Sequence, residues 1–316
     1  MVFSVSTLRA WVGVIFLIAR ATVAAAAQTV ALPGWVCTHP DSIYVGGFED
    51  GDATVPSDPS NGSGGATGSI TRQVHVTGLG TGTQTYYLYV PTNYSPSRAW
   101  PILLVLHGTA PYPDTYAATT RDDWIAAASA GEFIVAAPVA HSVFYDSGCN
   151  CDGVSWRVPP SGSATDYDEF AAIRADLEAA YNIERTRIYG WGFSAGGHVM
   201  HDLAVNTYSA AFNASTMSAY GVSSGDLAGL ACQGLSDTLC NQALDALPRK
   251  IPVDIHIGGN SDPNFSYAQA DYTRFVAQGW TNTESIFYTS LNIGHMYEMS
   301  QLSDIWRNLC PNAVIP

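Results

Sequence analysis

The stretch Gly190-Trp191-Gly192-Phe193-Ser194-Ala195-Gly196-Gly197 constrains this chain more than any other. It is a Gly-x-Ser-x-Gly motif with Ser194 at its centre. Arg187-Ile188-Tyr189 ahead of it reads as a short buried strand, and the residues from Ala195 to about Val205 read as a helix. A serine between strand and helix, flanked by Gly192 and Gly196, predicts a turn too tight for larger side chains. Such a turn exposes the serine oxygen just before a helix N-terminus, where developing negative charge is favoured.

The chain has 316 residues, 47% of them hydrophobic, which is ample for one large core. Residues 1–27 are expected to be a secretory leader. Arg9 precedes the apolar run Trp11–Ala19, and the small residues Ala25-Ala26-Ala27 place cleavage before Gln28. The apolar run is too short to span a bilayer, and no later segment is long and apolar enough, so no transmembrane helix is expected. Export suits an even set of six cysteines (Cys37, Cys149, Cys151, Cys232, Cys240, Cys310), all beyond the cleavage point. Cys232 and Cys240 are expected to pair locally. Cys37 and Cys310 could tie the N-terminal arm to the last helix. Cys149 and Cys151 are too close for an unstrained bond, which leaves cross-pairing with Cys37 or Cys310 open. Structural zinc is not expected, because no second cysteine pair and no histidine pair stands at ligand spacing. The formal charge of −14 falls to −16 once Arg9 and Arg20 leave with the leader, and Lys250 is the only lysine. That surface argues against nucleic acid or anionic membrane as partner and suits an uncharged substrate.

Residues 28–69 read as an irregular arm ending in a Gly/Ser-rich linker over 57–69, expected to be flexible. From residue 70 to 316 a single domain is expected. Thr83–Val90, Pro101–Leu106, Phe133–Ala137, Thr216–Val222, Pro252–Ile257 and Ser285–Thr289 read as strands. Asp166–Asn182, Tyr267–Gln278 and Tyr297–Leu309 read as helices; in the first, Phe170, Ile173, Leu177 and Tyr181 recur at helical spacing. Alternation over about 250 residues predicts an α/β fold with a doubly wound, mostly parallel sheet and helices on both faces.

In such a sheet, chemistry gathers at the carboxyl ends of the strands. His107-Gly108-Thr109 ends the strand Pro101–Leu106, and the backbone N–H of Thr109, with that of Ala195, would hold an oxyanion. Asp262 follows a strand in Gly258-Gly259-Asn260-Ser261-Asp262-Pro263; Asp254 and Asp271 lie inside regular elements, and Asp226 and Asp237 come too early. Of eight histidines only His295 lies beyond Asp262, after the last predicted strand. The chain order serine, acid, histidine therefore selects Ser194, Asp262 and His295. His198 and His201 sit on the helix leading away from Ser194, and His107 reads as a loop-ordering residue.

From Thr83 to Leu309 the sequence resembles the polyhydroxybutyrate depolymerase and feruloyl esterase group of secreted α/β-hydrolases. The matching stretches are Tyr87-Leu88-Tyr89-Val90-Pro91, Leu104-Val105-Leu106-His107-Gly108 and Tyr181-Asn182-Ile183-Glu184-Arg185-Thr186-Arg187-Ile188-Tyr189. Gly192-Phe193-Ser194-Ala195-Gly196-Gly197, Gly259-Asn260-Ser261-Asp262-Pro263 and Gly294-His295 follow in the same order. The resemblance implies an α/β-hydrolase fold, the same triad and a substrate cleft bordered by the loop Cys151–Trp156. Two departures bear on substrate choice. Thr109-Ala110-Pro111-Tyr112 stands where the group often has a cysteine, and Met296-Tyr297 where it often has a tryptophan.

These readings predict an exported, monomeric serine esterase that needs no metal or organic cofactor. An aliphatic polyester is the expected substrate, with Tyr112, Trp156 and Trp191 as candidate substrate-binding aromatics. The rivals are a feruloyl or acetyl esterase acting on plant polysaccharide, an acyltransferase, a peptidase, and a catalytically silent binding module. The loop Ser147–Pro160 is expected to wall an open cleft, with Tyr112 and Trp156 at its rim.

Overall fold

The structure is a computed structural model that describes residues 28–31, 57–146, 151–281 and 285–315. The expected leader, Cys37 and Cys149 lie outside the described residues. An eight-stranded sheet forms the centre. In spatial order its strands are β11 (Ile286–Ser290), β10 (Val253–Ile257), β9 (Ala219–Ser223), β8 (Ile183–Phe193), β4 (Trp100–Leu106), β5 (Ile134–Pro138), β3 (Thr83–Val90) and β2 (Gly68–His75). The six strands from β11 to β5 run parallel, and β3 and β2 add antiparallel pairings at one edge.

The strand patterns follow from this layout. Every residue of β4, β5, β9 and β10 is buried, as expected of parallel strands covered on both faces. Along β4, Ile102, Leu104 and Leu106 enter one core while Leu103 and Val105 enter the other. The first core receives α3 (Asp166–Ala180) through Phe170, Ile173 and Leu177, and α4 (Ala195–Val205) through Val199, Met200 and Leu203. It also receives α6 (Phe265–Ala277) through Ala268 and Phe275. The second core takes Ala127 and Ala128 of α2 (Ile125–Gly131), and Leu302, Ile305, Trp306 and Leu309 of α7 (Met299–Leu309). Helices thus pack on both faces, as the alternation predicted. The elements α1 (Pro113–Asp123), α5 (Asp237–Asp245) and the hairpin of β6 (Ser142–Asp146) with β7 (Cys151–Ser155) complete the main body. Cys232 and Cys240 are bonded, with Cα atoms 5.4 Å apart, as their spacing predicted. Cys310 is also in disulfide linkage.

Two expectations for the N-terminal arm are corrected. β1 (Gln28–Ala31) is a strand, paired antiparallel with β12 (Asn312–Ile315) at the other end of the chain. The Gly/Ser-rich segment is not loose where it approaches β8. Ser60 N–H donates to Ile183 O at 2.8 Å, Asp58 N–H to Glu184 Oε1 at 2.8 Å and Asn61 N–H to Asn182 Oδ1 at 2.9 Å. Composition alone suggested a linker, but its backbone donors are satisfied by the Ile183 carbonyl and Glu184 side chain of β8 and by Asn182 just before it.

Candidate active site

β8 delivers Ser194 and α4 carries the chain away. Ser194 sits at φ +52°, ψ −117°, and its N–H donates to Ser223 O at 2.8 Å, prolonging the pairing with β9 by one bond. Such a backbone is strained for a non-glycine residue, and the close packing around it imposes the strain. A Cβ on Gly192 would lie 2.1 Å from Gly196 O, and one on Gly196 would lie 2.2 Å from Leu106 O. Neither glycine of the motif is replaceable without moving the strand, the helix or β4.

Asp262 follows β10 and His295 follows β11. The two loops are bonded to each other: Ile293 N–H and Gly294 N–H donate to Gly258 O at 3.0 and 2.9 Å. His295 Nδ1 lies 3.0 Å from Asp262 Oδ1, and His295 Nε2 lies 2.9 Å from Ser194 Oγ. The sequence-predicted serine, acid and histidine are therefore one hydrogen-bonded chain. Asp262 is buried, whereas His295 has an exposed edge. Burial pushes the Asp262 carboxyl up, but hydrogen bonds from Ser224, His295 and Asn264 N–H outweigh it and hold its pKa below the usual carboxylate value. A charged Asp262 beside Nδ1 keeps the proton there and leaves Nε2 as acceptor toward Ser194.

Sequence reasoning missed Ser224. It is buried just beyond β9 at φ +54°, and its Oγ donates to Asp262 Oδ2 at 2.5 Å. Asn264 Nδ2 donates to Ser224 O at 2.7 Å and braces the same corner. Nothing in the sequence marks this serine, because β9 and β10 meet only through the fold.

The His107 loop lies against the serine. The Cβ position of Gly108 is 3.2 Å from Ser194 Cβ. His107 is fully buried; Ala140 N–H donates to its Nε2 at 3.3 Å, so Nδ1 bears the hydrogen and donates to Gly108 O at 2.6 Å. Burial lowers its pKa to about 4, so it is neutral at ordinary pH. Ala195 begins α4, where an N–H has no intrahelical acceptor, and Thr109 is exposed.

The other candidates separate. Tyr112 is 75% exposed at the start of α1. Trp156 is buried: its indole N–H donates to His107 O at 3.0 Å and its ring lies 4.7 Å from the His107 ring. Trp191 is wholly buried in the second core, with Nε1 donating to Ser223 Oγ at 3.1 Å. The expectation that Trp156 and Trp191 face substrate is corrected, since both spend their N–H groups inside the protein. His198 Nδ1 accepts from Asp226 N–H at 3.0 Å, and His201 packs beside Tyr220 with its pKa pushed by burial to about 3.

Neither a family model nor a curated protein matches the sequence. Solved structures do match. A ferulic acid esterase aligns with a TM-score of 0.57 at 14% identity, over 78% of this chain and 99% of its own. The feruloyl esterase module of Clostridium thermocellum, complexed with sinapinate, aligns at 0.54 and 15% identity, over 82% and 94%. A fluorophosphonate-binding serine hydrolase of Staphylococcus aureus aligns at 0.54 and 12% identity, over 78% and 98%. Together with the sheet order these matches decide the architecture. The chain has the α/β-hydrolase fold. At such identities the likeness extends to the fold and no further.

Proposed function

We propose that this α/β-hydrolase is an exported serine esterase that cleaves carboxylic esters through an acyl-enzyme. The observation that supports this most is the unbroken chain from Ser194 Oγ through His295 to Asp262, with contacts of 2.9 and 3.0 Å. His295 Nε2 takes the Ser194 proton as Oγ attacks the ester carbonyl. Asp262 stabilises the imidazolium and fixes its orientation. The N–H groups of Ala195 and Thr109 receive the oxyanion. His295 then protonates the leaving alkoxide, and water, activated in the same way, releases the acid and restores Ser194.

The proposed substrate is an aliphatic polyester or its oligomers. Large apolar side chains stand exposed on the segments that bear the site: Tyr112 after the His107 loop, and Met296 and Met299 after His295. Val143, also exposed, lies on the β6–β7 hairpin that bridges to Ala110. An apolar rim suits a chain of weakly polar ester units. A second reading, a feruloyl esterase, is favoured by the ferulic acid esterases among the similar structures, one of them from Anaeromyces mucronatus in complex with ferulic acid (TM-score 0.52, 13% identity, 84% and 94% covered). Turnover of polyhydroxybutyrate film, an aromatic polyester, methyl ferulate, acetylated xylan and short p-nitrophenyl esters separates them. Release of soluble acid from polyester film supports the first reading; ready turnover of methyl ferulate with nothing released from film replaces it by the second.

A further inference from the structure

We propose that His141, Asp166 and Glu169 form a binding site for one divalent transition-metal ion of the zinc class, joining the segment after β5 to the first turns of α3. The site is independent of the hydrolytic residues. His141 Nδ1 lies 2.8 Å from Asp166 Oδ1 and 3.3 Å from Glu169 Oε2, and one ligand atom from each residue falls within 4.8 Å of the other two. Both carboxylates are wholly buried, whereas the His141 side chain is 18% exposed and gives access from solvent.

The cluster lacks hydrogens rather than ligands. An imidazole Nδ1 offers one hydrogen, and the geometry of a hydrogen bond is met toward Asp166. Among the described residues neither oxygen of Glu169 meets a donor at hydrogen-bond geometry; it approaches His141 Nδ1 at 3.3 Å. An unpartnered buried carboxylate is costly. Asp166, by contrast, has one oxygen already fixed: Oδ2 accepts from Arg157 N–H at 2.6 Å and from His141 N–H at 3.3 Å, which leaves Oδ1 turned to the cluster. Oriented ligands of this kind are typical of metal sites.

Charge fits, and the two contacts of His141 come near the spacing of metal ligands. Two carboxylates and a neutral imidazole compensate a divalent cation, and a mixed nitrogen and oxygen set favours zinc over calcium, which prefers oxygen alone. Tetrahedral zinc ligands at about 2.0–2.1 Å stand roughly 3.3 Å apart, so the Glu169 contact has the required span and the Asp166 contact must open by about half an ångström. Solvent at the exposed edge of His141 would supply the fourth ligand. Ala140, next to His141, is the donor to His107 Nε2, so an ion here would stiffen the support of the His107 loop.

The test is titration of chelator-treated full-length protein with Zn²⁺, followed by calorimetry and thermal unfolding at pH 7.5. One equivalent should bind and raise Tm by about 3 °C or more at saturating metal. Glu169→Gln and His141→Gln should each weaken binding at least tenfold. Since either variant could misfold, Co²⁺ added to the unaltered protein gives a second readout: visible absorption bands of four-coordinate cobalt, displaced by one equivalent of Zn²⁺. Absence of stoichiometric binding, undiminished binding in both folded variants, or cobalt spectra of the free aqueous ion would each overturn the proposal and leave the cluster as an ion pair sharing a proton.

Discussion

Ser224 Oγ donates to Asp262 Oδ2 at 2.5 Å from a left-handed backbone at φ +54°. The other oxygen of Asp262 receives His295 and Asn264 N–H, so the carboxylate is fixed from both sides. Glycine tolerates the same backbone, which makes Ser224→Gly the clean test of the hydroxyl. A hydrogen bond to a charged group contributes about 1.5–3 kcal/mol, so kcat should fall roughly 10–100-fold while KM changes little. Steady-state kinetics beside an unfolding curve will separate this from simple loss of fold.

His295→Ala should lower turnover about 10⁴–10⁶-fold, as removal of a triad member does. His198→Ala should retain most activity, because its Nδ1 serves Asp226 backbone rather than Ser194. His201→Ala should cost stability ahead of turnover, since His201 is buried beside Tyr220.

Asp262, held below the ordinary carboxylate range, remains charged through mild acid. Its contribution to stability is fully present above its unfolded pKa and is lost as pH falls through its lower folded value. Urea unfolding across the acid range should therefore show the parent losing stability below the ordinary carboxylate range, a decline that Asp262→Asn should lack.

The hydrogen-bonded set of Ser194, Asp262 and His295 was legible in the sequence because chain order left one histidine after Asp262, and the parallel core was legible because β4 and β5 read as unbroken apolar runs. Other features were legible only in part. Arg187–Tyr189 predicted the elbow strand, but β8 extends from Ile183 to Phe193 because Glu184 and Arg185 pair with residues 57–59. Trp156 was misread: a segment rich in cysteine and proline looks like surface, yet β7 delivers the indole under His107, where its N–H finds a carbonyl. The β1–β12 ribbon joins the described ends of the chain, a pairing no local pattern encodes.

Trp156→Ala should therefore act on the fold. Loss of a buried tryptophan costs about 3–5 kcal/mol, and hydrolysis of polyester and of a short p-nitrophenyl ester should decline together. Tyr112→Ala, at an exposed position, should leave stability within about 0.5 kcal/mol and reduce polyester hydrolysis selectively. Thermal unfolding and paired substrate assays distinguish the two patterns.

Asp271 gives a stability prediction of opposite sign to Asp262. Burial, with Asp226 nearby, raises its carboxyl to about 7 despite the hydrogen bond from Leu227 N–H at 2.7 Å. The unfolded chain releases this proton at lower pH than the folded one, so stability falls as pH rises from about 4 to about 7. Asp271→Asn keeps an acceptor for Leu227 and removes the charge. Urea unfolding should find the variant more stable than the parent at pH 8, by an upper bound on the order of 4 kcal/mol, with the gap closing toward pH 4.

The central claim is that Ser194 is the nucleophile. The direct measurement is mass spectrometry of the protein after reaction with a fluorophosphonate, compared with Ser194→Ala, which keeps a Cβ at the strained position. One adduct on the peptide containing Ser194, with neither adduct nor ester hydrolysis in the folded variant, is the predicted result. An adduct on a different residue, or ester hydrolysis by Ser194→Ala above about a hundredth of the parent rate, would contradict it.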